Sequence, residues 1–110
     1  MIDSEKLLSF LKKKKINFFT GVPDSTLKNF TKLIENDNSI DHYPVYNEGS
    51  AVSLGIGYHL ATNKMAIAYL QNSGLSNAIN PLISIAHKRV YSIPLFLLIG
   101  WRGSPHVEKD

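Results

Sequence analysis

The sequence predicts an α/β fold of three layers, with a parallel β-sheet between two sets of helices. Three observations lead there. Short apolar segments of strand character alternate with segments of helical periodicity along the chain, the order that gives βαβ crossovers and parallel strands. The last strand segment, residues 93–99, is apolar throughout, as expected for a strand covered on both faces. Each strand segment also runs into a loop that combines glycine with polar or ionisable residues. In a parallel sheet these loops share one edge, where open α/β sheets bind ligands.

The elements follow in order. Asp3 or Ser4 can cap a first helix that carries Leu7, Leu8 and Leu11 on one face. The lysines Lys12, Lys13, Lys14 and Lys15 suit its last turn, where cations complement the negative end of the dipole. Residues 17–20 read as a short buried strand ending at the turn Gly21-Val22-Pro23-Asp24-Ser25. Leu27, Phe30 and Ile34 have helical spacing, and Asn36-Asp37-Asn38-Ser39 is a loop. A second strand is expected over residues 42–46, near a sheet edge because it contains Pro44. Asn47-Glu48-Gly49 leads into a helix from residue 50 to about residue 61, and a third strand spans residues 64–70. Gln71-Asn72-Ser73-Gly74 opens a fourth helix, with Leu75, Ala78, Ile79, Leu82 and Ala86 on its apolar face and Pro81 as a kink or break.

Composition narrows the function classes. The 110 residues make one domain, able to bury about two-thirds of its surface. With 44% hydrophobic and 19% charged residues the chain is globular. It has no cysteine, which excludes a disulfide framework, a thiolate zinc site and a cysteine nucleophile. A net charge of +3 gives no argument for nucleic acid. No apolar run approaches the ~20 residues of a membrane span, and the first residues lack signal-peptide character, so the expected location is cytoplasmic. His42, His59, His87 and His106 have no metal-ligand spacing, so no metal site is expected on this chain. The glycines form no dinucleotide fingerprint, and Walker and nucleophile-elbow motifs are absent.

Several residues at the expected edge can carry chemistry. Glu48 stands at or just before a helix N-terminus. It is either an acid favoured by the helix dipole or a carboxyl group that bonds a ligand or moves a proton. The helix after it collects Gly49, Ser50, Ala51, Ser53, Gly55 and Gly57. Interior glycines cost about 1 kcal/mol each relative to alanine, so close helix–sheet packing, a cofactor or a subunit contact should offset them. Ser73-Gly74 opens a helix whose free amides suit an anion, and Arg102 lies at the same edge. Asp24 and Ser25 either cap their helix or face a ligand.

Taken in order, Gly21-Val22-Pro23-Asp24-Ser25, Asn47-Glu48-Gly49-Ser50-Ala51-Val52, Gly57-Tyr58-His59-Leu60-Ala61-Thr62, Gln71-Asn72-Ser73-Gly74-Leu75, Asn80-Pro81-Leu82, Tyr91-Ser92-Ile93-Pro94 and Gly100-Trp101-Arg102-Gly103 resemble the N-terminal part of the phosphonopyruvate decarboxylase family. These are thiamine diphosphate enzymes, and the sulfopyruvate decarboxylases are similar. Ser76 stands where relatives commonly have glycine. The resemblance implies that residues 1–110 form the pyrimidine-binding domain of a thiamine diphosphate-dependent decarboxylase. Its reaction would convert the 2-oxo acid phosphonopyruvate to phosphonoacetaldehyde and CO2.

The resemblance also implies residue roles. Glu48 would bond N1′ of the cofactor's aminopyrimidine and activate it, with Val22, Pro23 and Gly74 lining the cofactor. Asp24, Ser25, Gln71, Asn72 and Ser73 would face the substrate, and electrostatics adds Arg102 as a partner for its phosphonate. The diphosphate and its Mg2+ would be held by a C-terminal diphosphate-binding domain absent from these residues. That domain would come from a partner subunit of a homo-oligomer, so this domain alone would be inactive. The end at Asp110 then reads as a cut within a longer protein. Two alternatives stand beside this reading: the α subunit of a sulfopyruvate decarboxylase, where the pyrimidine domain can be its own chain, and a non-catalytic α/β interaction module.

Overall fold

A computed structural model describes residues 2–103. Helix α1 (Ser4–Lys13) starts where the sequence supplies a cap: the Asp3 carboxylate accepts a hydrogen bond from the Lys6 amide at 3.1 Å. Lys12 and Lys13 occupy its last turn, as their charge suggests. Lys12 also reaches Asp37 at 2.6 Å. That ammonium, with the Ser39 hydroxyl and amide, holds the Asp37 carboxyl down at about 2.

Strand β1 (Phe18–Gly21) is buried along its whole length. A 3₁₀ turn (Ser25–Leu27), capped by Asp24, leads into α2 (Lys28–Glu35). Then come β2 (Asp41–Pro44), α3 (Glu48–Thr62), β3 (Ile67–Gln71), a 3₁₀ turn (Asn72–Gly74), α4 (Leu75–Pro81), a π turn (Leu82–Ala86) and β4 (Phe96–Gly100). Every strand pair is parallel and the order is β2-β1-β3-β4. The chain leaves β1 outward to β2 and returns across it to β3. The topological switch point of the sheet therefore lies between β1 and β3.

Strand alternation sorts the core into two layers. Ile67 and Tyr69 of β3 pack with Leu8, Leu11, Phe30 and Ile34 of α1 and α2. Ala68 faces the other way, onto Ala51, Val52 and Ile56 of α3 and Ala78 of α4. This is the three-layer arrangement the sequence predicts. The alanines let α3 and α4 sit close to the sheet and to each other. Gly55 belongs to the same contact, since a Cβ there would lie 2.7 Å from Leu95 Cδ1 and 3.4 Å from Ala66 Cβ. Gly57 faces open space and nothing in the structure explains it.

Three expectations are corrected. Strand β4 is only half-buried along residues 96–99, because among the described residues it forms the sheet edge and pairs with β3 alone. Strand β2 begins one residue earlier than its sequence signal and stops at Pro44, on the opposite edge. Ile79 is exposed, because Ala78 and Pro81 take the inward positions of α4. Pro81 does mark a break, since the helix widens to a π turn directly after it.

His42 of β2 meets Tyr69 of β3 across β1, with Nε2 2.6 Å from the Tyr69 hydroxyl. Burial pushes the Tyr69 phenol up to about 12. Burial also pushes the His42 imidazole below its ordinary 6.5, opposed by the charge of Glu35. The folded chain therefore binds a proton at this ring less readily than the unfolded chain. The stability due to the neutral ring is complete above pH 6.5 and is lost as the pH falls below it. The urea midpoint should drop between pH 7 and pH 5, and His42→Gln should flatten that slope; an unaltered slope would dismiss His42 as its source. Thr20 poses a second test, because its hydroxyl is fully buried with no partner among the described residues. Thr20→Val should raise the stability read from urea unfolding by about 1 kcal/mol.

Candidate functional site

The carboxyl ends of β1 and β3 flank the switch point with the end of β4 beside β3, and the four residues after β3's apolar body connect them. Val22 extends the β1–β3 ladder by one bond, its amide donating to the Tyr69 carbonyl at 3.1 Å. Asp24 then turns the chain. One of its carboxylate oxygens accepts from the amide and hydroxyl of Thr26, and the other accepts from the side-chain amide of Gln71. The Gln71 carbonyl in turn accepts from the Ser73 hydroxyl. Ser73, Gln71 and Asp24 thus form one hydrogen-bonded chain from the β3 turn to the β1 turn.

Asn72 points to the other neighbour. Its side-chain carbonyl accepts from the Arg102 amide at 3.0 Å, and its NH₂ donates to the Arg102 carbonyl at 3.2 Å. This two-bond clamp fixes the segment after β4 beside the β3 tip. The Asn72 amide is committed to backbone, and Arg102 is the exposed residue that it holds.

Glu48 is the first residue of α3, and its side chain does not cap that helix. Asn47 does so: its side-chain oxygen accepts from the Gly49 amide at 2.7 Å and from the Ser50 amide at 3.3 Å. The Glu48 carboxylate turns across to the start of α4. There Oε2 accepts from Asn77 Nδ2 at 2.9 Å. Oε1 and Cδ lie against Gly74, in the space any Cβ at that residue would fill. The helices also meet by backbone, since a Cβ on Gly49 would lie 2.7 Å from the Asn77 carbonyl oxygen.

The structure therefore brings Glu48, Gly74, Gln71, Asn72, Ser73, Asp24 and Arg102 to one edge, linked through residues 71–74, with Val22 beside them on Tyr69. Pro23 and Ser25 are exposed on the rim of the β1 turn. Two residues that sequence reasoning missed also contribute. Thr26 braces Asp24 and packs against Gly100; the Asp-x-Thr spacing of a capped turn is its signal. Asn77 meets Glu48 from 29 positions away, and nothing in its local sequence marks it.

Comparison with known proteins adds to this geometry. Residues 4–110 match the thiamine pyrophosphate enzyme N-terminal TPP binding domain. The chain is 39% identical over 103 residues to sulfopyruvate decarboxylase subunit alpha of Methanocaldococcus jannaschii, a match covering 94% of this chain and 59% of that one. It is 34% identical over 110 residues to phosphonopyruvate decarboxylase of Streptomyces hygroscopicus, covering 100% of this chain and 26% of that one. Benzoylformate decarboxylase from Polynucleobacter necessarius matches in structure with a TM-score of 0.73 and 25% identity, over 88% of this chain and 18% of that one. The chain thus spans little more than half of the first relative and about a quarter of the second.

Two glycine substitutions separate the site from its surroundings. Gly49→Ala drives a methyl group onto the Asn77 backbone carbonyl, 2.7 Å from its Cβ, and should destabilise the fold by about 1–3 kcal/mol. Gly57→Ala meets nothing within 4 Å and should stabilise α3 by up to about 1 kcal/mol. Urea unfolding of both variants reads the contrast, and equal effects would dismiss the close approach of α3 and α4 at Gly49.

Proposed function

This chain belongs to the thiamine pyrophosphate enzyme N-terminal TPP binding domain family, and from that premise we propose that it is the pyrimidine-binding half of a 2-oxo acid decarboxylase. One observation carries the reading: a carboxylate at the switch point, Glu48, is freed from capping its own helix and seated over a residue without a side chain. The residues present fit thiamine diphosphate on that ground. A residue without a side chain at 74 lets the Glu48 carboxyl reach the start of α4, and this acid is able to share a proton with a ring nitrogen. Glu48, Val22, Pro23 and Gly74 would hold the aminopyrimidine end. The bound cofactor supplies the electron sink for loss of CO2 from a 2-oxo acid.

The substrate would lie over the Ser73–Gln71–Asp24 chain, with Ser25 at its rim. Arg102, positioned by Asn72, supplies a cation for a tetrahedral anionic group. That suits phosphonopyruvate, giving phosphonoacetaldehyde and CO2. Sulfopyruvate is the second reading, favoured by the 39% identity to a sulfopyruvate decarboxylase α subunit. The diphosphate and Mg2+ would be held by a diphosphate-binding domain of a partner subunit in an oligomer. Leu54 and Leu60 of α3 and Ile79 and Ile83 beside them are exposed apolar residues, which supports such a contact.

The test assembles this chain with a diphosphate-binding domain, thiamine diphosphate and Mg2+. CO2 should form from phosphonopyruvate; turnover of sulfopyruvate alone transfers the assignment to the second reading, and no cofactor binding abandons both. Glu48→Gln should slow exchange of the cofactor's C2 proton at least about a hundredfold with an unchanged urea midpoint. Arg102→Ala should raise KM for the anionic substrate about tenfold or more while kcat changes less.

A further inference from the structure

Asn77 is polar, exposed and on the first turns of α4, where sequence gives it no task. Its surroundings give it one. Its Nδ2 donates to Glu48 Oε2 at 2.9 Å. Its main chain lies so close to α3 that residue 49 has no room for a Cβ. Pro81, four residues on, has no N–H to give to the Asn77 carbonyl, so the usual helical bond at that carbonyl is missing where Gly49 approaches. Gly49 and Gly74 thus face α4 and α3 respectively, and between them the Asn77 amide meets the Glu48 carboxylate.

We infer that Asn77 is the positioning residue for Glu48: it binds Oε2 and thereby sets which carboxylate oxygen, Oε1 over Gly74, is offered to the cofactor's ring nitrogen. The inference rests on the reading of Glu48 proposed above. A glutamate has three side-chain torsions, and a carboxylate bonded at one oxygen keeps one orientation without recruiting a ligand to fix it. The donor is a neutral amide, so it orients the carboxylate while leaving its charge in place. Asn47 makes this arrangement possible by capping α3 itself, which releases Glu48 from its own helix.

The experiment has two arms. In the first, the side-chain amide resonances of Asn77 are followed by NMR in the 110-residue chain. They should move in Glu48→Ala and stay in place in Asp24→Asn; resonances indifferent to Glu48→Ala overturn the contact and the inference with it. In the second, the chain is assembled with a diphosphate-binding domain, thiamine diphosphate and Mg2+, and C2-proton exchange is measured. Asn77→Ala should slow exchange about tenfold or more, with the substrate KM within about twofold. Asn77→Asp keeps the shape, removes the donor and sets a second negative charge against Glu48, so it should slow exchange further. In a Glu48→Gln background, Asn77→Ala should add less than about a twofold effect. Exchange at the unsubstituted rate in Asn77→Asp overturns the inference, because a purely spatial role would tolerate that variant. If the unsubstituted assembly itself shows no exchange while the first arm succeeds, the proposed function fails and the positioning role fails with it, although the hydrogen bond stands.

Discussion

Residues 71–74 tie together Asp24, Arg102 and Glu48 of the candidate site, and the geometry of a parallel sheet requires such a link. All four strands end at one edge, so the polar groups there must bond one another or a ligand. The turn after β3 meets that demand in each direction. Gln71 bonds Asp24 beyond β1, Asn72 clamps Arg102 beyond β4, and Gly74 receives the Glu48 carboxyl from α3. The turn can serve as this hub because β3 is the best-anchored strand. Ile67, Ala68 and Tyr69 are fully buried and paired on both sides, and Leu70 is fully buried and paired with β4. Side chains mounted directly on such an element inherit its order, as precise positioning of a reactive group requires.

Glycine at this edge acts through what it omits. Gly74 and Gly49 are each placed where a side chain would enter the opposing helix. Both sit in ordinary backbone conformations, so steric room and not φ explains them. The same logic covers Gly55, which admits Leu95 toward the sheet. Small residues along α3 therefore have separate reasons at separate positions. Gly49 closes the helix pair, and Gly55, Ala51 and Val52 seat it on the sheet.

Much of this was legible in the sequence, and the limits have physical causes. The alternation of periodicities gave the layers and the parallel sheet, because burial imposes one period on strands and another on helices. Periodicity marks apolar residues without saying what covers them. For that reason β4 reads like an interior strand although it lies at an edge, and Ile79 reads like core although Ala78 and Pro81 face inward. Glu48 stood out because an acid between an apolar strand and a run of small residues has few local reasons to be there. Asn77 did not, since a single asparagine on a helix carries no pattern and its partner is 29 positions away. The Asn72–Arg102 clamp was hidden for a related reason: half of it is backbone, which no residue type announces.

The two carboxylates of the site are treated alike. Asp24 accepts from the Gln71 amide and Glu48 accepts from the Asn77 amide. A lysine or arginine at either place would also satisfy the oxygen, but it would neutralise the charge and hold the proton off. A primary amide brings no opposite charge. It fixes the plane of the Glu48 carboxylate through Oε2, whereas Asp24 is held at both oxygens, by Gln71 at one and by Thr26 at the other. In both pairs the amide belongs to the stretch from the end of β3 into α4, and the acid belongs to a neighbouring element. The element that is most firmly buried thus orients both carboxylates of the candidate site.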